Sequence, residues 1–223
     1  MHLHRLLLGL VLLAPPAARA LEFRVLSFNG EISGLKLREG KTTLDISAND
    51  DVLSGVYNHD APGPLELFRE IPGADVTTKE TVALLQPPDA AITRAILVLA
   101  AIPGGGCTGH WIDDMPENNP VNTLSVHNFS GRPLALRIGN EQWQQAGGQL
   151  RRLAFATTQK QLPLLVAARA GNTWSTLLAT PIPVRKNYRI HLILRPPTPL
   201  ESEQNILLGS VLIPDYAAPA KIN

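Results

Sequence analysis

The chain has 223 residues, 44% apolar, 17% charged and 5% aromatic, with 20 Lys and Arg against 19 Asp and Glu. A formal charge of +1, scattered along the chain, excludes the basic footprint of a nucleic-acid binder. A single cysteine excludes a disulfide scaffold, so the fold must rest on its apolar cores.

Residues 1–20 have the anatomy of a secretory signal peptide. His2, His4 and Arg5 make a weakly basic start, Leu6 to Ala14 is an apolar run, and Ala18-Arg19-Ala20 is a small-x-small cleavage site. Cleavage is expected between Ala20 and Leu21. The apolar run falls well short of the roughly 20 residues that span a bilayer. No later stretch reaches that length, so the mature chain is expected to have no membrane span. Loss of Arg5 and Arg19 leaves 18 basic and 19 acidic residues, a charge of −1. The expected location is periplasmic or extracellular.

From Leu21 to Ile102, short apolar runs recur between turn residues. Phe23 to Leu26 opens the set, and Phe28-Asn29-Gly30 supplies a turn. Leu35 to Arg38 and Thr42 to Ile46 alternate apolar and polar residues, the two-residue period of a half-buried strand. Val52 to Tyr57, Leu65 to Arg69 and Thr81 to Leu85 follow. Asp75 to Leu85 is open to a helical reading, against which its β-branched threonines and Val82 argue. Ala95 to Leu99 is apolar throughout, as a strand buried on both faces would be.

The same order recurs from Thr123. Leu124 to His127 and Asn128 to Gly131 answer the first strand and turn, and Pro133 to Ile138 alternates. Leu153 to Thr157, Leu162 to Val166, Thr176 to Leu178 and Arg189 to Leu194 match the later runs. Paired landmarks (Gly30 with Gly131, Leu65 with Leu162, Arg94 with Arg189) lie 101, 97 and 95 residues apart. This is a tandem repeat of about 100 residues with small loop changes. The fold expected is all-β: two tandem Ig-like β-sandwich domains, 21–102 and 123–197, joined by a Gly/Asn/Pro-rich linker at 103–122. Residues 198–223 should supply one more strand, over Ile206 to Ile213, and a tail.

The linker holds the residues most suggestive of chemistry. Gly104 to Gly109 fits G-x-G-x-x-G, but Pro116 and Pro120 deny the helix that a dinucleotide site requires. No cofactor is expected. Cys107, His110 and Asp113 are metal-capable, with Asp114 beside them and His59 and Asp60 as distant helpers, but no second cluster completes a site. Cys107 and His110 also lack a rigid scaffold for nucleophilic chemistry. Asp45, Asn49, Asp50 and Asp51 lack calcium-loop spacing and read as turn residues. Asn128-Phe129-Ser130 is a formal glycosylation sequon. Trp111, Trp143 and Trp174 fall in or beside expected loops, where aromatics can stack on sugar rings or anchor a partner.

The Val-x-Asn-x-Ser-Gly strand and turn at 126–131, followed by Leu134-x-Leu136-x-Ile138, resembles exported two-domain bacterial β-sandwich proteins. Among them is the family of periplasmic accessory subunits of alginate O-acetylation. The likeness covers Leu124 to Ile138 and, more weakly, Phe23 to Leu37. It implies an accessory or binding role in the cell envelope and assigns no functional residue. The expected function is that of an exported, non-enzymatic binding or assembly module whose partner is an envelope protein or a polysaccharide. Two other readings stand beside it: a polysaccharide-binding protein using loop tryptophans, and a small metalloprotein centred on Cys107 and His110.

Overall fold

In a computed structural model of the chain, residues 20–60, 63–73, 76–102 and 104–216 are described. The expected leader lies outside them except for Ala20. The first repeat contains β1 (Leu21–Phe28), β2 (Ile32–Glu39), β3 (Thr42–Ala48), β4 (Val56–His59), β5 (Leu65–Ile71), β6 (Thr78–Leu85), β7 (Arg94–Ala101) and β8 (Cys107–Asp113). The second contains β9 (Thr123–Asn128), β10 (Leu134–Ile138), β11 (Glu141–Gln145), β12 (Leu150–Ala154), β13 (Gln161–Ala170), β14 (Thr173–Pro183) and β15 (Tyr188–Arg195). A short helix, α1 (Pro199–Glu203), then leads to β16 (Gly209–Tyr216). No helix of the described residues is long and apolar enough to cross a membrane.

Each repeat is a sandwich of two four-stranded sheets. The strand orders are β4-β1-β7-β8 over β3-β2-β5-β6, and β12-β9-β15-β16 over β11-β10-β13-β14. Adding eight to every strand number of the first repeat gives the second, so the duplication holds at the level of topology. The parallel pairs also correspond, since Glu22 lies opposite Arg94 and Thr123 opposite Arg189.

Period-two alternation builds three cores. On β1 and β7, Phe23, Val25, Leu97 and Leu99 face the partner sheet of their own repeat. On β9 and β15, Leu124, Val126, Leu192 and Leu194 do the same. The opposite faces of these inner sheets meet each other, where Leu26, Phe28, Ile96, Val98 and Ile112 pack with Ile193, Val211 and Ile213. The result is a four-layer stack with two inner sheets covered on both faces. That double burial explains the uninterrupted apolar run Ala95 to Leu99, all of it buried.

Three sequence expectations need correction. Residues 104–122, the described part of the linker expected at 103–122, are not a linker. Cys107–Asp113 is an edge strand paired with β7 from Ala95↔Asp113 to Ala101↔Cys107. It is the counterpart of β16, the strand of the tail, so each repeat has eight strands among the described residues. Its glycines and polar residues hid the alternation. The remainder is tied down: Asp113 accepts hydrogen bonds from the Met115 N–H and Asn118 Nδ2, and buried Asn119 accepts from Ser125 Oγ and Arg152 Nε. Second, the tail strand begins at Gly209 and not Ile206, because α1 and its capping box on Thr198 and Glu201 occupy the preceding residues. Third, β11 has no counterpart among the expected strands, and β12 covers Leu150–Ala154 instead of Leu153 to Thr157. The ambiguous stretch before Leu85 is strand from Thr78, and Asp75 lies outside the described residues.

Candidate functional site

The face between the two inner sheets carries a charged cluster as well as apolar residues. Asp114, just past β8, has a fully buried side chain. Its Oδ2 accepts from Arg24 Nη2 and Arg94 Nε, each at 2.9 Å, and its Oδ1 lies 3.7 Å from Arg189 Nη1 and 3.3 Å from His191 Nε2. Asp215 on β16 takes Arg189 through Nη2 and lies 3.6 Å from both Arg24 and Arg94. His191 continues the chain to His127, whose Nε2 is 3.1 Å from His191 Nδ1. Burial would raise the Asp114 pKa. The His191 hydrogen bond and the charges of His191, Arg94 and Arg24 outweigh it and hold the carboxyl well below its ordinary range. Burial, then the charges of His191 and Arg152, pushes the His127 pKa well below that of a free imidazole. Every charged member is paired within the protein, so the cluster acts as a lock between repeats.

The expected metal and nucleophile candidates are not brought together. Cys107 and His110 lie three residues apart on one strand, so their side chains leave on opposite faces of the sheet. Cys107 is buried in the first core, and burial raises its thiol pKa against the opposing charge of Arg69. His110 faces the second repeat and stacks on Phe129, centroids 5.1 Å apart. Asp113 is used in the turn described above. His59 is hydrogen-bonded to Glu39, and the Asp60 N–H donates to the same carboxylate, at the end of the sheet away from Cys107. Among the described residues no three metal-capable side chains converge. The sequon is occupied structurally. Asn128 is fully buried, and its Nδ2 donates to the carbonyls of Arg132, Gln145 and Ala146.

The three tryptophans all lie in strands and not in loops. Trp111 packs edge-on against Phe23 at 5.7 Å and donates to the Gln86 carbonyl. Trp143 lies against the second core, donates to Gln145 Oε1 and is covered by Arg151. Trp174 differs, being 48% exposed on β14.

Trp174 borders a groove on the open face of the β11-β10-β13-β14 sheet. The inward residues Leu134, Leu136 and Ile138 leave Ala135 and Arg137 facing outward on β10. Register then places Gln144 beside Ala135 and Gln142 beside Arg137 on β11. On β13, Ala167 and Leu165 are the matching partners, and β14 places Thr176 and Ala179 beside these. The bulge between Val166 and Ala167 shifts β14 so that Trp174 stands opposite Arg169. Small alanines along the middle and larger side chains at the margin produce a hollow of ≈ 590 Å³. A second hollow of ≈ 320 Å³ shares Arg137 and Leu165 and runs on to Pro163 and Pro181. Arg137 makes no ion pair among the described residues, and the exposed side-chain amides of Gln142 and Gln144 are not engaged by another described residue. An apolar floor, convergent polar groups and an exposed aromatic are features that ligand-binding clefts share. Of the residues lining the first hollow, sequence reasoning singled out Trp174 and Trp143, the latter half-buried against the second core. The alternation Leu134-x-Leu136-x-Ile138 already placed Arg137 on the solvent side.

Neither a protein-family model nor a curated protein sequence matches the chain.

Proposed function

We propose that the protein is an exported binding or assembly module of the cell envelope that carries out no chemistry of its own. The observation that carries this reading is the groove on the open sheet of the second repeat. Arg137, Gln142 and Gln144 face solvent there without a partner among the described residues, whereas the charged groups of the buried cluster between the repeats are paired within the protein. The leader read from residues 1–20 supports export. The four-layer stack supports a fixed presentation of the groove, because the second repeat is held against the first by the Asp114 cluster and cannot swing on a flexible connector. A preformed face loses little entropy on binding.

The test is co-purification from crosslinked cells, comparing the wild-type chain with a Trp174→Ala/Arg137→Gln double variant. An envelope component recovered with the wild type and lost with the folded variant supports the reading. Equal recovery with both, or none with either, overturns it.

A further inference from the structure

The groove's lining identifies the class of its occupant. We propose that it binds an anionic glycan chain, with a sugar ring stacked on Trp174, ring hydroxyls hydrogen-bonded by Gln142 and Gln144, and an acidic substituent paired with Arg137. The proposal rests on the reading above that the groove is the binding surface, and it adds the chemistry of the ligand.

Three observations favour a glycan over a peptide or a lipid. First, the groove lies across a sheet face, with its floor on the two central strands β10 and β13. The backbone N–H and C=O groups of β10 and β13 are already engaged with their neighbours. A peptide laid there would leave its own main-chain groups unpaired, since peptide recognition by sheets uses edges. A sugar chain has no such requirement, because its hydroxyls are met by side-chain amides that can donate and accept at once. Second, the floor is shallow and built from Ala135, Ala167 and Leu165, which suits the flat C–H face of a pyranose ring. It is too open to enclose an acyl chain. Trp174 supplies an amphipathic aromatic surface at one end, and its backbone is paired with Arg169 on β13. Third, the charge is one-sided. Arg137 is the one charged residue lining either hollow among the described residues, and no Asp or Glu lines them. Arg169, opposite Trp174, adds a second positive group at the rim. A guanidinium fork pairs with planar carboxylate or with sulfate in a directed, bidentate manner. A neutral chain would leave Arg137 without its partner.

Titration calorimetry at about 0.15 M salt tests this with three probes: hexagalacturonate, the neutral cellohexaose, and poly-glutamate as a polyanion without sugar rings. The expected result is binding of hexagalacturonate about tenfold tighter than cellohexaose, the effect of one charge-assisted pair. Poly-glutamate should bind more weakly than hexagalacturonate. Arg137→Gln should remove the preference for the charged sugar and keep residual binding of both. Trp174→Ala should weaken both sugars by a similar factor, while Glu66→Gln on the first repeat should change neither. Circular dichroism and melting of each variant establish that it is folded. No binding of either sugar overturns the proposal, as does poly-glutamate binding as well as hexagalacturonate, or affinity that survives Trp174→Ala and Arg137→Gln. A protein recovered at the groove in the co-purification experiment, together with no sugar binding, would overturn the glycan while leaving the binding-module reading intact.

Discussion

Asp114 and Asp215 are equivalent residues of the two repeats, 101 positions apart, and each shares the same three arginines, Arg24, Arg94 and Arg189. Asp114 follows β8 opposite Arg94, and Asp215 on β16 lies opposite Arg189. The two domains therefore meet through corresponding faces, with each aspartate reaching an arginine of the other repeat. Phe28 and Phe129, the aromatic residues of the duplicated opening turn, also correspond, and both enter this interface. The duplicated turn positions the contact between repeats as well as closing a strand.

Removing the Asp114 charge leaves three arginines without half of their compensation. Breaking one partner of a buried ionic group costs about 3–5 kcal/mol, and Asp114→Ala is expected at that level in urea denaturation. Because the cluster joins the repeats, the wild type is expected to unfold in one transition, which should broaden or split in the variant. A loss below about 1 kcal/mol, the range of exposed pairs, would show that the cluster is not a lock.

Two pH windows follow from the shifted groups. The folded-state pKa of His127 lies below its unfolded value of 6.5. The unfolded chain therefore takes up the proton first, and stability declines as pH falls below 6.5, with a limiting slope of about 1.4 kcal/mol per pH unit for one group. The groups facing it are His191, Arg152 and, through His191, Asp114. Asp114 is also depressed, so its contribution is complete above 3.8 and is lost as pH falls below that value toward the folded pKa. Thermal melts at closely spaced pH values should show both regions. His127→Gln should flatten only the upper one, and an unchanged upper slope would contradict the assignment.

Gly209 lies opposite Arg195, and a Cβ there would collide with the Arg195 guanidinium. Arg195 is buried and binds both Glu201 and Asp51, the latter from the first repeat. Gly209→Ala should therefore displace the guanidinium and cost about 1–3 kcal/mol, the range for overpacking. Gly55→Ala meets open space and serves as the control. Equal melting temperatures for the two variants would contradict the close approach.

Cys107 should be inert in the native protein. It is buried in the first core, and its thiol pKa is raised, so little thiolate is available at neutral pH. A disulfide reagent should label it at the rate of unfolding and promptly in denaturant. Immediate stoichiometric labelling of native protein would show the thiol to be open to solvent.

What was legible in the sequence was the part encoded by alternation. All seven runs expected in the first repeat contain or overlap strands, and the pairing of Leu65 with Leu162 and Arg94 with Arg189 matches β5 with β13 and β7 with β15. Elements with too few apolar residues to show the alternation escaped. β11 is Glu-Gln-Trp-Gln-Gln, and its buried Gln145 is held by hydrogen bonds to the carbonyls of Val126 and Gln149. The interface was illegible for a different reason. Asp114, Arg189, His191 and Asp215 are single polar residues separated by long stretches, and only the stacking of two inner sheets makes them neighbours. The tryptophans carried a partial signal, because their type marked candidates while pairing register decided that Trp174 is the exposed one at the groove's margin.

Thr81 on β6 and Thr176 on β14 are exposed residues on corresponding strands of the two repeats, Thr176 beside the groove and Thr81 on the charged face beside Glu66. Placing a photo-crosslinking residue at each position in turn, in cells producing the full chain, tests the binding-module account most directly. The account predicts an envelope adduct from position 176 that Arg137→Gln diminishes, and none from position 81. Adducts of equal yield from both positions, or from position 81 alone, would contradict it.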